Sequence, residues 1–443
     1  MTHSRPGRPL PATDAELRVL LVSRADGGVG AARAAWRTHR ALREQGVASR
    51  LRVSLRSSDD AEVIGPRGAA AKLGARLRPL FAPLPTGLLH SRNPVLRSAS
   101  WLPCRFDREL NREPVDVLHL HWVQWEVLSI EAIGRLRRPV VWTLHDSWAF
   151  CGAEHYPADL DDRRYATGYR RDNRPAGDRG LDLDRLTWQR KRRHWRRPLT
   201  IVCPSRWLAD CARRSALMAD WPVHVLPNPL PTTIYRPWPR PLARQLFGLP
   251  AEAPLVLFGA IGGGRDPRKG WDLLVEALQR LAVAHPGAEA VVLGQSAPSD
   301  PPRLGLPIHW MGRLADDQSL AMLYAACDLV VVPSRQENLP QSATEPQACG
   351  VPVVAFACTG LPDAVVHGGT GYLARPYDAA DLAHGMASLL ANDAHRQQLG
   401  RAARERAERL WSPAVVTAGL LQLYRQAAEG STPGRAGGHS GPC

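Results

Sequence analysis

The 443-residue sequence predicts an α/β protein made of two doubly wound parallel sheets. Three observations carry that expectation. Short β-branched runs alternate with helical stretches throughout. The rhythm is interrupted once by a Pro-rich bridge, Leu226-Pro-Asn-Pro-Leu-Pro231 to Pro237-Trp-Pro-Arg-Pro241, and then restarts. The chain is also long for one hydrophobic core and comfortable for two.

In order, Glu16-Leu-Arg-Val-Leu-Leu-Val-Ser23 reads as the first strand, followed by the glycine turn Asp26-Gly-Gly-Val-Gly30. A helix over 31–45 stops at Gly46, and Ala48–Val53 is the second strand. Val115–His121, Pro139–Leu144 and Thr200–Cys203 continue the strand series. The stretch from Arg163 to Arg197 is polar and short of strands, and reads as an insertion with a basic helix over Leu186–Trp195. Beyond the bridge come strands at Leu255–Gly259, Ala288–Leu293 and Ile308–Met311, with helices over Trp271–Ala284 and Gln318–Ala326. Another helix is expected over Ala379–Ala391. After a break at Trp411-Ser-Pro413 a last helix runs to about Ala428. The tail at 430–443 has a disordered composition.

Composition bounds the class. Apolar residues make up 44% and charged residues 22%, the balance of a globular chain. No run of 18 apolar residues suggests a membrane span, and the polar, Pro-rich N-terminus lacks the apolar core of a signal peptide. Eight cysteines without a Cys-x-x-Cys pair suggest reduced thiols, so the expected compartment is the cytoplasm. The net charge of +15 is uneven: residues 1–197 hold 36 Lys+Arg against 22 Asp+Glu. An acidic partner for that half is one reading, either a phosphorylated acceptor or an anionic membrane. A bias toward Arg, with only three lysines in the chain, is the other. Within 67–101, leucines interleave with Lys72, Arg76, Arg78, Arg92 and Arg97, which suits either an amphipathic surface on lipid headgroups or buried loop packing around Pro79, Pro83 and Pro85.

The chemistry-bearing segment is Glu337-Asn-Leu-Pro-Gln-Ser-Ala-Thr-Glu345, between the strand Asp328-Leu-Val-Val-Val-Pro-Ser334 and the strand closing at Phe356. Ligands of parallel sheets gather at the carboxyl ends of strands, so Glu337 is expected at the strand mouth. Glu345 then falls about two turns down the next helix, on the same face. Two such carboxylates suit an extended ligand with two hydroxyl-rich portions, as in a nucleotide sugar. Upstream, Gly262-Gly-Gly-Arg265 and Arg268-Lys269 set flexible amides and cations beside a helix N-terminus, where a diphosphate is favoured.

Pro333-Ser-Arg-Gln-Glu337 with Glu345-Pro-Gln-Ala-Cys-Gly-Val-Pro-Val-Val354 resembles the E-x7-E signature of the family 4 retaining glycosyltransferases. The resemblance extends in order through Val140–Asp146, Pro204–Trp207, Leu226–Asn228, Arg268–Gly270, Thr359–Asp363 and His367–Leu373, covering roughly 17–425. The Glu-Asn-Leu-Pro variant and Trp-Thr-Leu-His-Asp are similar to the branch that builds surface polysaccharides such as colanic acid. The resemblance implies a GT-B fold: an acceptor-binding domain at 1–228 with an insertion near 155–197, and a donor-binding domain at 229–411. A helix at 412–429 would cross back to the first domain.

It further implies a metal-independent, retaining hexosyltransferase with no cofactor and a nucleotide-diphosphate sugar as donor substrate. Lys269 would neutralise the leaving diphosphate, helped by Arg265, because the family's usual Arg a few residues earlier is replaced by Ala260 or Ile261. Glu345 would accept from the ribose hydroxyls. Glu337 would face the transferred sugar, and the backbone around Asn338 and Leu339 would read its hydroxyls, although Pro340 removes one amide that relatives offer. His145, at the end of a strand, matches the family's active-site His and would steady the donor sugar. The alternative for it is a His satisfied by Asp146. Gly27, Gly28 and Gly30 are too short for a dinucleotide fingerprint but permit close approach of phosphate or acceptor, and Arg206 would add charge. His119 and His121 suit packing or acceptor contact better than a metal. The partners implied are a nucleotide sugar and a glycan or polyprenyl-linked acceptor, with peripheral contact to an anionic inner membrane face and no nucleic acid. A nucleotide-sugar epimerase or phosphorylase of the same architecture, and a basic polyanion-binding protein, are the rival readings; no interleaving of aromatics with cations supports the last.

Overall fold

The computed structural model describes residues 17–28, 30–157, 161–259 and 266–430. Nine strands belong to the first half: β1 (Arg18–Ala25), β2 (Ala48–Leu55), β3 (Val63–Ile64), β4 (Leu89–His90), β5 (Val117–Leu120), β6 (Val140–Thr143), β7 (Arg179–Gly180), β8 (Thr200–Cys203) and β9 (Val223–Val225). Six belong to the second: β10 (Leu255–Gly259), β11 (Glu289–Leu293), β12 (Ile308–Trp310), β13 (Leu329–Val332), β14 (Val353–Phe356) and β15 (Gly371–Ala374). They form a seven-stranded sheet of order β3-β2-β1-β5-β6-β8-β9 and a six-stranded sheet of order β12-β11-β10-β13-β14-β15. Every pairing within these two sheets is parallel, while β4 and β7 make a small antiparallel ribbon. The expected pair of doubly wound sheets is therefore what the chain builds.

The central strands are covered on both faces, so they read as unbroken apolar runs and not as alternation. Leu255–Phe258 and Leu329–Val332 are all buried, as are Val140–Trp142. Around the second sheet one core gathers the helix Trp271–Ala284, through Leu274, Leu278 and Leu281, with Leu320, Leu323 and Phe356. The first sheet has a core on each side. One contains Trp142, Trp148, Trp188 and Trp195, with edge-to-face contacts between Trp142 and Trp195. The other is closed by the helix Pro413–Gly430, whose Val416, Leu420, Leu423 and Tyr424 pack with Val19, Leu21 and Val117. Tyr424 is wholly buried, and its hydroxyl lies 2.6 Å from His119 Nδ1. His119 is thus a packed core residue, bonded through Nε2 to Thr143 as well.

Several elements differ from expectation. The expected basic helix in the insertion begins three residues earlier, as Leu183–His194, capped by Asp182. Lys191 on it is fully buried and donates to the carbonyls of Trp148, Cys151 and Gly152, with Trp148 beneath its ammonium. Three converging carbonyls replace the water such a cation loses. Asp182 and Asp184 stand at Asp-x-Asp spacing, but the first caps the helix and pairs with Arg185, and the second is buried beside Arg97 and Arg164. The segment around Pro79, open to two readings, is a helix, Ala69–Phe81, with no buried residue. A 19-residue helix, Asp393–Trp411, was not anticipated at all. The tail at 431–443 lies outside the described residues.

Candidate active site between the lobes

Each lobe brings its strand ends to the same gap. On the second lobe β13 runs out through Pro333 and Ser334 to Glu337, which is 6% exposed. Glu337 Oε1 lies 2.6 Å from Lys269 Nζ and 3.5 Å from an Arg268 nitrogen. Burial alone would raise this carboxyl; Lys269 and Arg268 outweigh it and hold it below the ordinary range. The cations come from a single 3₁₀ turn, Pro267–Lys269, capped by Asp266. Gly270 follows at φ 67° and starts the helix Trp271–Ala284. A Cβ at Gly270 would sit 2.0 Å from the Pro333 carbonyl oxygen, so only glycine lets the cation turn lie against the end of β13.

A loop from β14 roofs the carboxylate. The Glu337 amide donates to Thr359 Oγ1 at 3.0 Å, and Thr359 itself is held at φ 51°. Such a left-handed threonine persists only where its surroundings over-determine it. The Gly360 amide donates to the Glu337 carbonyl at 3.0 Å, and a Cβ there would collide with Asn338 O.

The Asn338 side chain reaches into the first lobe. Its Oδ1 accepts from Ser205 at 2.6 Å, and its amide donates to the Leu144 carbonyl at 3.2 Å, with the His145 carbonyl at 3.5 Å. The Asn338 side chain is thus a buried strut joining the lobes. Leu339 is buried in the second lobe's core. Arg206 is also spoken for, its backbone and guanidinium both bound to Asp363 across the gap at 2.7 and 2.5 Å.

Glu345 lies one turn, not two, into its helix, because the helix begins only at Gln341. It is 2% exposed: Arg37 of the first lobe donates to Oε1 at 2.8 Å, the Tyr324 hydroxyl donates to Oε2 at 3.0 Å, and Arg33 stands 3.7 Å from Oε1. Arg37 also reaches Asp317 and Tyr235. Those anions hold its charge firmly despite complete burial. Arg37 was missed in the sequence, where only its place on the helix after the glycine turn pointed to the gap.

On the first lobe, the glycine turn faces the same helix. Gln341 donates to the Gly30 carbonyl at 2.9 Å, and Arg33 to the Gly28 carbonyl at 3.4 Å; Gly28 has φ 96°. Gly27 packs on Ser57, which with Ser58 satisfies Asp26. His145 sits half-buried at the end of β6. Its Nε2 is 3.0 Å from His121 Nδ1, not bonded to Asp146. Asp146 is instead taken by His155, Trp122 and the Trp148 amide. Burial lowers His145 to about 4, with Asp146 opposing, so the ring is neutral near pH 7. Opposite, Arg268 lies 4.4 Å over the Tyr156 ring. The structure thus gathers Lys269, Glu337, Glu345, His145 and the glycine turn around one gap. Arg265 lies outside the described residues. Among the described residues, no cluster of three His, Cys, Asp or Glu is arranged to hold a metal ion.

Residues 29–233 match the model of Glycosyltransferase Family 4, and residues 258–406 that of Glycosyl transferases group 1. The D-inositol 3-phosphate glycosyltransferase of Saccharomonospora viridis is 36% identical over 208 residues, 44% of this chain and 47% of that protein. D-inositol 3-phosphate glycosyltransferase 1 of Catenulispora acidiphila is 37% identical over 226 residues, 47% of this chain and 52% of that protein. The chain thus spans about half the length of the curated relatives it matches, and their names do not single out the colanic-acid branch. Among solved structures, sucrose-phosphate synthase from Thermosynechococcus elongatus superposes with a TM-score of 0.66 at 20% identity, over 94% of this chain and all of that one. Anabaena HepE, in complex with UDP and glucose, gives 0.63 at 17%, over 93% and 100%. These likenesses carry the GT-B fold. The first lobe thus holds a region similar to Glycosyltransferase Family 4, and the second a region similar to Glycosyl transferases group 1.

Proposed function

We propose that the chain transfers a sugar, with retention and without a metal ion, from a nucleotide-diphosphate sugar to a glycan or lipid-linked acceptor in surface polysaccharide assembly, working in the cytoplasm at the inner membrane face. One observation carries the reading: a buried carboxylate, Glu337, 2.6 Å from Lys269 at the strand end that faces the other lobe. A departing diphosphate gains negative charge as the glycosidic bond breaks, and fixed cations stabilise that charge most where water is excluded. Lys269 and Arg268 supply it, with Glu337 exchanging part of its ion pair for donor-sugar hydroxyls. Glu345, oriented by Tyr324 and Arg37, accepts from the ribose. Neutral His145 offers a hydrogen bond to the sugar without adding charge. Front-face attack, with the departing phosphate taking the acceptor proton, needs no protein nucleophile.

A second acceptor class, a phosphorylated polyol, is favoured by the names of the relatives. A thermal-shift panel of nucleoside diphosphates and their sugars tests the donor. One nucleotide sugar should raise the melting temperature, and Lys269→Ala should abolish the shift; a flat panel would sink the reading. Adding inositol phosphate or a polyprenyl phosphate sugar to the stabilised complex separates the acceptor classes.

A further inference from the structure

The helix Ala69–Phe81 is attached to the first lobe yet shows its apolar stripe to solvent. Leu73, Leu77 and Leu80 recur at i, i+4 and i+7 and are 56%, 41% and 68% exposed. Phe81, Leu84 and Leu88 extend the patch and are likewise exposed. The helix is tied down from its other side by Arg78, which donates to the carbonyls of Glu126, Leu102 and Pro103. That inner side, through Gly74, Ala75 and Pro79, lines a cavity of about 270 Å³ shared with Arg24 and Trp125, at the strand ends of the first lobe. Arg24 stands 4.5 Å over Trp125, and its buried Nε has no hydrogen-bond partner.

Charge chooses the occupant of the outer face. From residue 63 to residue 106 the sequence has seven Lys and Arg and no Asp or Glu. Lys72 and Arg76 lie one turn apart along the edge of the leucine stripe, both exposed. A protein partner for a leucine stripe needs no such one-signed surround, whereas an anionic bilayer rewards both features together: apolar side chains enter the acyl boundary and the cations meet the headgroups. At a rise of 1.5 Å per residue the helix is about 20 Å long, enough to lie in the interface and too short to span it. No described helix is long and apolar enough to cross a membrane.

We propose that the outer face of Ala69–Phe81 and the loop to Leu88 rests on an anionic bilayer. On the transferase reading above, this would hold the first lobe at the surface that carries a lipid-linked acceptor, but the docking itself is measured without turnover. The test is co-sedimentation of the full chain with phosphatidylcholine vesicles, with and without about one-third phosphatidylglycerol. Wild type should bind the anionic vesicles and release in about 0.5 M salt. Two variants, L73Q/L77Q/L80Q and K72E/R76E, should each bind about tenfold more weakly, with melting temperatures unchanged because these side chains are not packed. The proposal fails if wild type ignores charged vesicles, if it binds neutral ones equally, or if the variants bind as wild type does. It fails equally if wild type is a dimer in solution that the leucine variant turns into a monomer, since a second copy would then be the occupant.

Discussion

Arg37, on the first helix of the chain, donates to Glu345 Oε1 at 2.8 Å across the gap between the lobes, 308 residues away in sequence. Both partners are nearly inaccessible, and the same guanidinium holds Asp317 and Tyr235. Removing one member of such a pair strands the other charge in a poorly solvated place. Arg37→Ala should therefore destabilise the protein by about 3 kcal/mol, read from denaturant unfolding. Arg37→Lys should recover little of it, because a single ammonium cannot serve the four partners, Glu345, Asp317, Tyr235 and Gln341, that the planar fork reaches. An Arg37→Ala chain as stable as wild type would show that the pair contributes nothing.

Lys269 and Glu337 separate two kinds of loss. Lys269→Ala should lower donor turnover by about 10²–10³ in kcat, because leaving-group charge grows in the transition state, besides weakening the ground-state binding that the thermal shift reads. It also costs some stability, since Glu337 is left buried with Arg268 alone. Glu337→Gln keeps the shape but not the charge, and should raise the donor KM more than it lowers kcat. Steady-state kinetics with the stabilising nucleotide sugar decides; equal effects on both parameters would contradict the assignment.

Gly270→Ala tests the backbone under those groups. A methyl placed 2.0 Å from the Pro333 carbonyl, at φ 67°, must push the cation turn off β13. The expected outcome is a loss of at least about 2 kcal/mol of stability together with loss of donor binding. A folded, donor-binding Gly270→Ala protein would mean the turn moves freely.

Histidine burial makes stability pH-dependent. His119 is lowered by burial, with His145 adding to it, from 6.5 to about 3. Between those values the unfolded chain binds a proton that the folded one does not, so stability is complete above about pH 6.5 and declines as the pH falls. At pH 4.5 the loss from this one ring is on the order of 2–3 kcal/mol. His145 and His39, each lowered to about 4, act in the same direction and window. Asp146 is depressed below 3.8 and contributes only at lower pH. Melting temperatures between pH 7 and 4.5 should drop, and less so in His119→Gln; a flat profile would contradict a neutral buried ring.

The sheets were legible because their strands are short β-branched runs bounded by Gly and Pro, a signal that needs no knowledge of the far chain. The helix Asp393–Trp411 was not, since its buried positions, Arg396, Leu399, Gly400, Ala403, Ala407 and Trp411, mix charged, small and aromatic residues and give no clean apolar stripe. In the gap, residue types were legible and pairings were not. The Asn338 side chain has no partner legible on its own strand end, and only folding brings Ser205 and the Leu144 carbonyl to it. Glu345 likewise looks unengaged until Arg37 arrives from the other lobe.

The helix Pro413–Gly430 has a bearing on how the polypeptide is born. Tyr424 completes a hydrogen bond to His119 from 305 positions downstream, and Val416 and Leu420 seal the same side of the first sheet. During translation the first lobe must therefore wait, one apolar side uncovered, until almost the entire second lobe has left the ribosome. A nascent chain stalled before residue 413 would present Val19, Leu21 and Val117 to holdase chaperones, and a deletion of this one helix would cripple the opposite end of the protein.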